Sequence, residues 1–89
     1  MPPERGTVRV FEARSVDPAS CELICEIARG QVDAGMTMVV RLNSAMSITA
    51  RITSVASGPG EHQTTISLEC DSELFLGMNL IGDELECEA

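Results

Sequence analysis

Apolar and polar positions along the chain follow a period of two, not of 3.6, and no segment carries an amphipathic helical stripe of useful length. Thr7 to Arg14 is rich in apolar residues and predicts a first strand. Ser15 to Ser20 reads as a turn, because Pro18 fixes its own φ and Asp17 can close an Asx-turn. Cys21 to Arg29 alternates: Cys21, Leu23, Cys25 and Ile27 share one face, and Glu22, Ile24, Glu26 and Ala28 the other. Arg29-Gly30 ends that strand, and Gln31 to Gly35 is a connector. Met36 to Leu42 is nearly continuous in apolar character, which predicts a third strand buried on both faces. Asn43-Ser44 is a turn.

Ser47 to Val55 alternates again, with Ile48, Ala50, Ile52 and Ser54 set against Thr49, Arg51, Thr53 and Val55. Ser57 to His62 holds the plainest loop signal, Gly58-Pro59-Gly60. Gln63 to Cys70 predicts a fifth strand with Thr64, Ile66, Leu68 and Cys70 on one face. Asp71 to Leu76 predicts a short turn or a single helical turn, ended by Gly77. Met78 to Ile81 and Glu84 to Glu88 are read as closing strands with Gly82-Asp83 as a bend. Six or seven short strands at this spacing predict an all-β fold, a small closed six-stranded barrel. Residues 1–6 are read as a tail and 7–88 as one barrel domain.

Composition narrows the picture. The chain has 89 residues, enough for one core without a disulfide or metal staple. Aromatics are Phe11 and Phe75 alone, so the core is aliphatic and sulfur-rich, and stacking platforms for bases are missing. No run of about 20 apolar residues is present to span a membrane. Met1 to Arg5 has no signal-peptide pattern, so the expected location is cytoplasmic, with all four cysteines as free thiols.

The formal net charge is −8. All six cations are Arg and lie in residues 1–51 with six acids; residues 52–89 hold eight acids and no cation. Such a surface repels phosphate backbones and acidic membranes. The expected partner is therefore another protein, with RNA disfavoured and membrane excluded.

One stretch is more specific than the rest: Ile24-Cys25-Glu26-Ile27-Ala28-Arg29-Gly30-Gln31-Val32-Asp33-Ala34-Gly35. Physically, Gly30 lets the chain reverse without a Cβ clash, Val32 turns back to the core, and Gly35 opens a second tight turn. Through Ile27, Arg29, Gly30, Val32 and Gly35 it resembles the signature of the second domain of elongation factor Tu and related translation GTPases. The resemblance covers about residues 7–86 and implies a barrel that, in those factors, holds the aminoacyl end of transfer RNA, touches ribosomal RNA or braces the GTPase domain. This chain departs from the pattern at Ser15 to Ser20, where the family often has a Gly-Arg-Gly turn. It has no phosphate loop and no base-reading Asn-Lys pair, which excludes a GTPase.

Candidate chemistry is sparse. Cys21 and Cys25 lie about 13 Å apart on a strand, too far for a disulfide or a zinc pair. A cross-strand pairing with Cys70 or Cys87 stays open. His62 sits in a loop with no nucleophile beside it. Glu84, Glu86 and Glu88 line one face, which reads as like-charge protection of a sheet edge or as a weak divalent-cation site. Arg29 at the turn, with Gly30, Arg41 and Arg51, is the candidate binding set, read as a small basic patch or as ion pairs of Arg29 with Glu26 or Asp33. No catalytic residue, metal site or cofactor is expected. The chain thus reads as a non-enzymatic binding module. Two alternatives remain, an RNA- or ribosome-contacting accessory protein and a thiol- or metal-responsive protein using Cys70 and Cys87. Met36, Met46 and Met78 are the apolar patch residues expected on the first reading.

Overall fold

The computed structural model describes residues 5–41 and 44–89. Six strands are present: β1 Arg5–Asp17, β2 Ser20–Gly30, β3 Thr37–Arg41, β4 Ser47–Ser57, β5 Thr64–Glu69 and β6 Glu84–Glu88, with one short helix, α1 Ser72–Gly77. They close an antiparallel barrel in the order β1-β2-β5-β4-β3-β6, and β6 pairs back onto β1. Inward residues from every strand make one core: Val8, Val10, Leu23, Met38, Ile52, Ile66, Leu68 and Leu85, with Cys21, Cys25 and Cys87 among them. α1 packs against β1 and β2, and its Phe75 is 1 % exposed within the same core. The Asp71 side chain caps the helix by accepting from the Leu74 N–H at 3.1 Å.

The turn expected over Ser15 to Ser20 shrinks to Pro18-Ala19. β1 runs on to Asp17 and β2 begins at Ser20. Asp17 Oδ1 accepts from the Ala19 N–H at 2.8 Å, the expected Asx-turn, so two residues reverse the chain. The freed carbonyls of Pro18 and Ala19 accept from Ser72 and Cys70, which ties the hairpin tip to the entry of α1.

Four register shifts break the strict alternation, one of them at Val16 beside the β1–β2 turn. In β1, Phe11 is an extra residue between the Val10–Cys25 and Glu12–Ile24 pairs, and it stays 39 % exposed. In β4, Thr53 is extra between the Ile52–Leu68 and Ser54–Ser67 pairs. The phase therefore flips, and Val55, expected on the outer face with Arg51, packs against the core while Ser54 turns out. Near the end of β2, Ala28 is passed over between the Val8–Ile27 and Thr7–Arg29 pairs. Ile27 keeps its phase with Val8 but lies past Cys25, where the pairing with β5 stops, and so sits exposed at the barrel rim.

Two further expectations are corrected. The third strand starts at Thr37, not Met36, and is buried on one face only: Met38 and Val40 point in, Thr37 and Val39 are half-exposed. Leu42 and Asn43, expected in that strand and the following turn, lie outside the described residues. Met78 to Ile81 is not a strand. Asn79 adopts φ 50, its N–H donates to the Leu76 carbonyl, and Asp83 donates to Leu80, so the segment is a pair of turns that drops Leu80 into the core.

Candidate functional surfaces

Gly30 sits at the end of β2 with φ +71, opposite Gly6 of β1. A Cβ on Gly30 would fall on the Arg5 carbonyl oxygen and 3.0 Å from Gly6 Cα. A Cβ on Gly6 would meet the Gln31 carbonyl at 2.5 Å. The two glycines together let the connector Gln31 to Gly35 fold back over β1, and Val32 is buried as the sequence suggested. Gln31 donates its backbone N–H to Arg5 at 3.2 Å, which pins that reversal.

Arg29 projects beside this reversal, in a shallow depression shared with Arg5, Thr7 and Glu86. It makes no ion pair among the described residues. The acids expected to hold it are engaged elsewhere: Glu26 with Arg9 at 3.8 Å, and Asp33 as acceptor from the Gln31 side chain at 2.6 Å. Arg41 pairs with Glu86 at 3.8 Å. Arg51 lies on β4, opposite Thr37 of β3 and Glu69 of β5. Strands β1 and β6 lie between Arg29 on β2 and Arg41 on β3 and place Glu86 between the two cations, while β5 lies between β2 and β4, the strand of Arg51. Arg29 and Arg41 flank the same carboxylate, Glu86, and Arg5 is the cation that shares the depression of Arg29.

The acidic row on β6 is likewise not edge protection, because β6 has a partner on each side. It is the carboxylate rail between two cationic strands. Glu84 meets Arg9 of β1 at 3.6 Å and Glu86 meets Arg41 of β3. Among the described residues no group of three or more His, Cys, Asp or Glu is placed to hold a metal ion.

β6 pairs with β1 over five residues, Glu84 to Glu88, but with β3 over only three, Thr37–Glu88, Met38–Cys87 and Val39–Glu86. Past Val39 and Glu86 the two strands part. Val40 and Arg41 on one side, and Leu85 and Glu84 on the other, border a groove of about 460 Å³. The turns at Met78 and Leu80 close one wall, and Asp83, Glu84 and Glu86 stand at its rim against the single cation Arg41. Val40 and Leu85 are 3 % and 5 % exposed, so the floor is apolar and continuous with the core. Strand composition carries no signal for this groove; it follows from where the pairing of β3 stops. Of the methionines expected at a binding surface, Met78 lines it, Met46 is exposed elsewhere, and Met36 is a core residue whose sulfur accepts from the Asp33 N–H.

All four cysteines are unbridged. Burial pushes the Cys87 thiol up from 9.0 to about 11, and burial with the neighbouring Cys87 pushes Cys25 to about 12. Cys21 is raised further, by burial first and then by its contact with Cys70. Cys21 Sγ and Cys70 Sγ lie 2.9 Å apart. His62 is exposed in the β4–β5 loop at φ 62, 3.9 Å from Glu61.

The groove and the rail belong to a small closed barrel whose β3–β6 seam is only partly paired. Comparison with family models, with curated proteins and with solved structures returned no match.

Proposed function

We propose that this chain is a non-enzymatic protein-binding module, a barrel of the kind that follows the GTPase domain in translation factors, whose binding surface is the open end of the β3–β6 seam. The parting of the two strands after Val39 and Glu86 carries the reading. A strand end without its neighbour is a template for an added extended segment, and the pockets beside it select alternate side chains. The apolar floor of Val40, Leu80 and Leu85 suits an aliphatic side chain. Asp83, Glu84 and Glu86 line the rim, with Glu84 shared with Arg9 and Glu86 with Arg41, and this acidic rim suits Lys or Arg on the same segment. The occupant is therefore an extended segment of a partner protein that alternates apolar and basic residues. The chain's overall charge of −8 favours the same partner and disfavours nucleic acid.

Titration with synthetic peptides tests this. An extended peptide alternating Val and Lys is expected to bind, to perturb amide resonances of Val39 to Arg41 and Leu80 to Glu86, and to weaken with salt. A Val–Glu peptide and a scrambled peptide of the Val–Lys composition should not bind there. The double variant Asp83→Asn, Glu84→Gln should weaken the Val–Lys peptide several-fold. Equal binding of all three peptides, or perturbation confined to Arg5 and Arg29 with a single-stranded RNA oligomer as the better ligand, contradicts the proposal.

A further inference from the structure

We propose that Cys21 and Cys70 are a disulfide-forming pair, a modification site that small-molecule disulfides convert from two thiols to one intrachain bridge. The sequence left open a cross-strand pairing of Cys21 or Cys25 with Cys70 or Cys87, and the register sets Cys70 beside Cys21: Cys87 faces Met38 and Gly6, while Cys70 follows β5 beside the start of β2. Cys21 pairs with Leu68, and Cys70 comes two residues later, where its N–H donates to the Ala19 carbonyl at 3.0 Å. This anchors Cys70 over the hairpin tip and brings the sulfurs to 2.9 Å, within about 1 Å of the bonded length of ~2.05 Å.

The two sulfurs differ in access, which sets the order of events. Cys70 is half-buried, whereas Cys21 is fully buried. The Cys70 thiolate attacks one sulfur of a small disulfide RS–SR, breaks its S–S bond and releases RS⁻. Cys21 then gives its proton to solvent base, and its sulfur attacks Cys70 Sγ and expels the second RS⁻. Two thiols and RS–SR become the Cys21–Cys70 bridge and two RSH, with two electrons passing from the protein sulfurs to the reagent. Burial holds Cys21 protonated, so the second step quickens as pH rises. Glu69, Asp71 and Glu73 flank Cys70 in sequence and repel an anionic reagent, so a neutral disulfide reacts faster than an anionic one.

The test uses the full chain and 2-hydroxyethyl disulfide in excess, followed by acid quenching and thiol counting after unfolding. The count is expected to fall from four to two. Cleavage after Glu separates all four cysteines: 13–22 carries Cys21, 23–26 Cys25, 70–73 Cys70 and 87–88 Cys87. Mass spectrometry should find 13–22 joined to 70–73, and the variant Cys70→Ser should keep its three remaining thiols under the same treatment. Four surviving thiols, a lasting mixed disulfide on Cys70 without closure, a bridge that includes Cys25 or Cys87, or thiol loss in Cys70→Ser each overturns the proposal.

Discussion

At the residue scale, Gly30 and Arg29 stand side by side and carry opposite expectations. A side chain on Gly30 meets both a left-handed φ and the Arg5 carbonyl. Left-handed backbone alone costs about 1–2 kcal/mol in a residue with a Cβ, and the clash adds to it. Gly30→Val is therefore expected to lose more than about 2 kcal/mol in chemical denaturation. Arg29→Ala removes no ion pair among the described residues and should stay within about 0.5 kcal/mol of the parent.

The buried thiols give a pH dependence. Cys25 and Cys87 have pKa values raised above the ordinary 9.0, so the unfolded chain releases their protons first as pH rises. Their contribution to stability is complete below about pH 9 and is lost progressively toward about pH 11–12. Each thiol contributes a slope of up to about 1.4 kcal/mol per pH unit in that window. Stability by denaturant titration should thus fall steeply above pH 9, and Cys87→Ala should flatten the fall. An unchanged slope in that variant would assign the alkaline loss to other groups.

At the scale of elements, the strands were legible because period-two alternation is a local property. The runs around Cys21 to Arg29, Ser47 to Val55 and Gln63 to Cys70 each sit in a strand of the barrel. What alternation cannot reveal is a bulge, since an extra residue changes phase without changing composition. Val55 was misplaced for that reason, and Phe11, with no inward slot at its bulge, gives no warning of exposure. Met78 to Ile81 misled because apolar residues in turns that fill a barrel end look like those in a strand. The candidate site was less legible still. Gly30 could be read from its neighbours, but its need for Gly6 depends on a register 24 residues away. The groove depends on the length over which β3 pairs, which no residue encodes by itself.

The short helix makes its own prediction at this scale. Asp71 satisfies one of the free N–H groups of α1, and Phe75 anchors the helix in the core. Asp71→Ala should cost about 1 kcal/mol, within the range for lost N-caps. Phe75→Ala should cost about 3–5 kcal/mol by leaving a cavity between α1 and the barrel. Paired melting curves of the two variants separate a fraying helix from a collapsed core.

For the whole molecule, closure and opening occur on the same strand. β6 seals the barrel against β1 along its full length and releases β3 halfway, and the groove and its acidic rim both follow from that difference. Backbone nuclear Overhauser contacts in solution test this most directly. Contacts are expected across Arg9–Glu84, Val8–Leu85 and Thr7–Glu86 on one side of β6. On the other side contacts are expected across Thr37–Glu88, Met38–Cys87 and Val39–Glu86, and none across Val40–Leu85 or Arg41–Glu84. Contacts that continue through those last two pairs would mean a zipped seam with no groove, and missing contacts between β1 and β6 would mean an open sheet; either result contradicts the account.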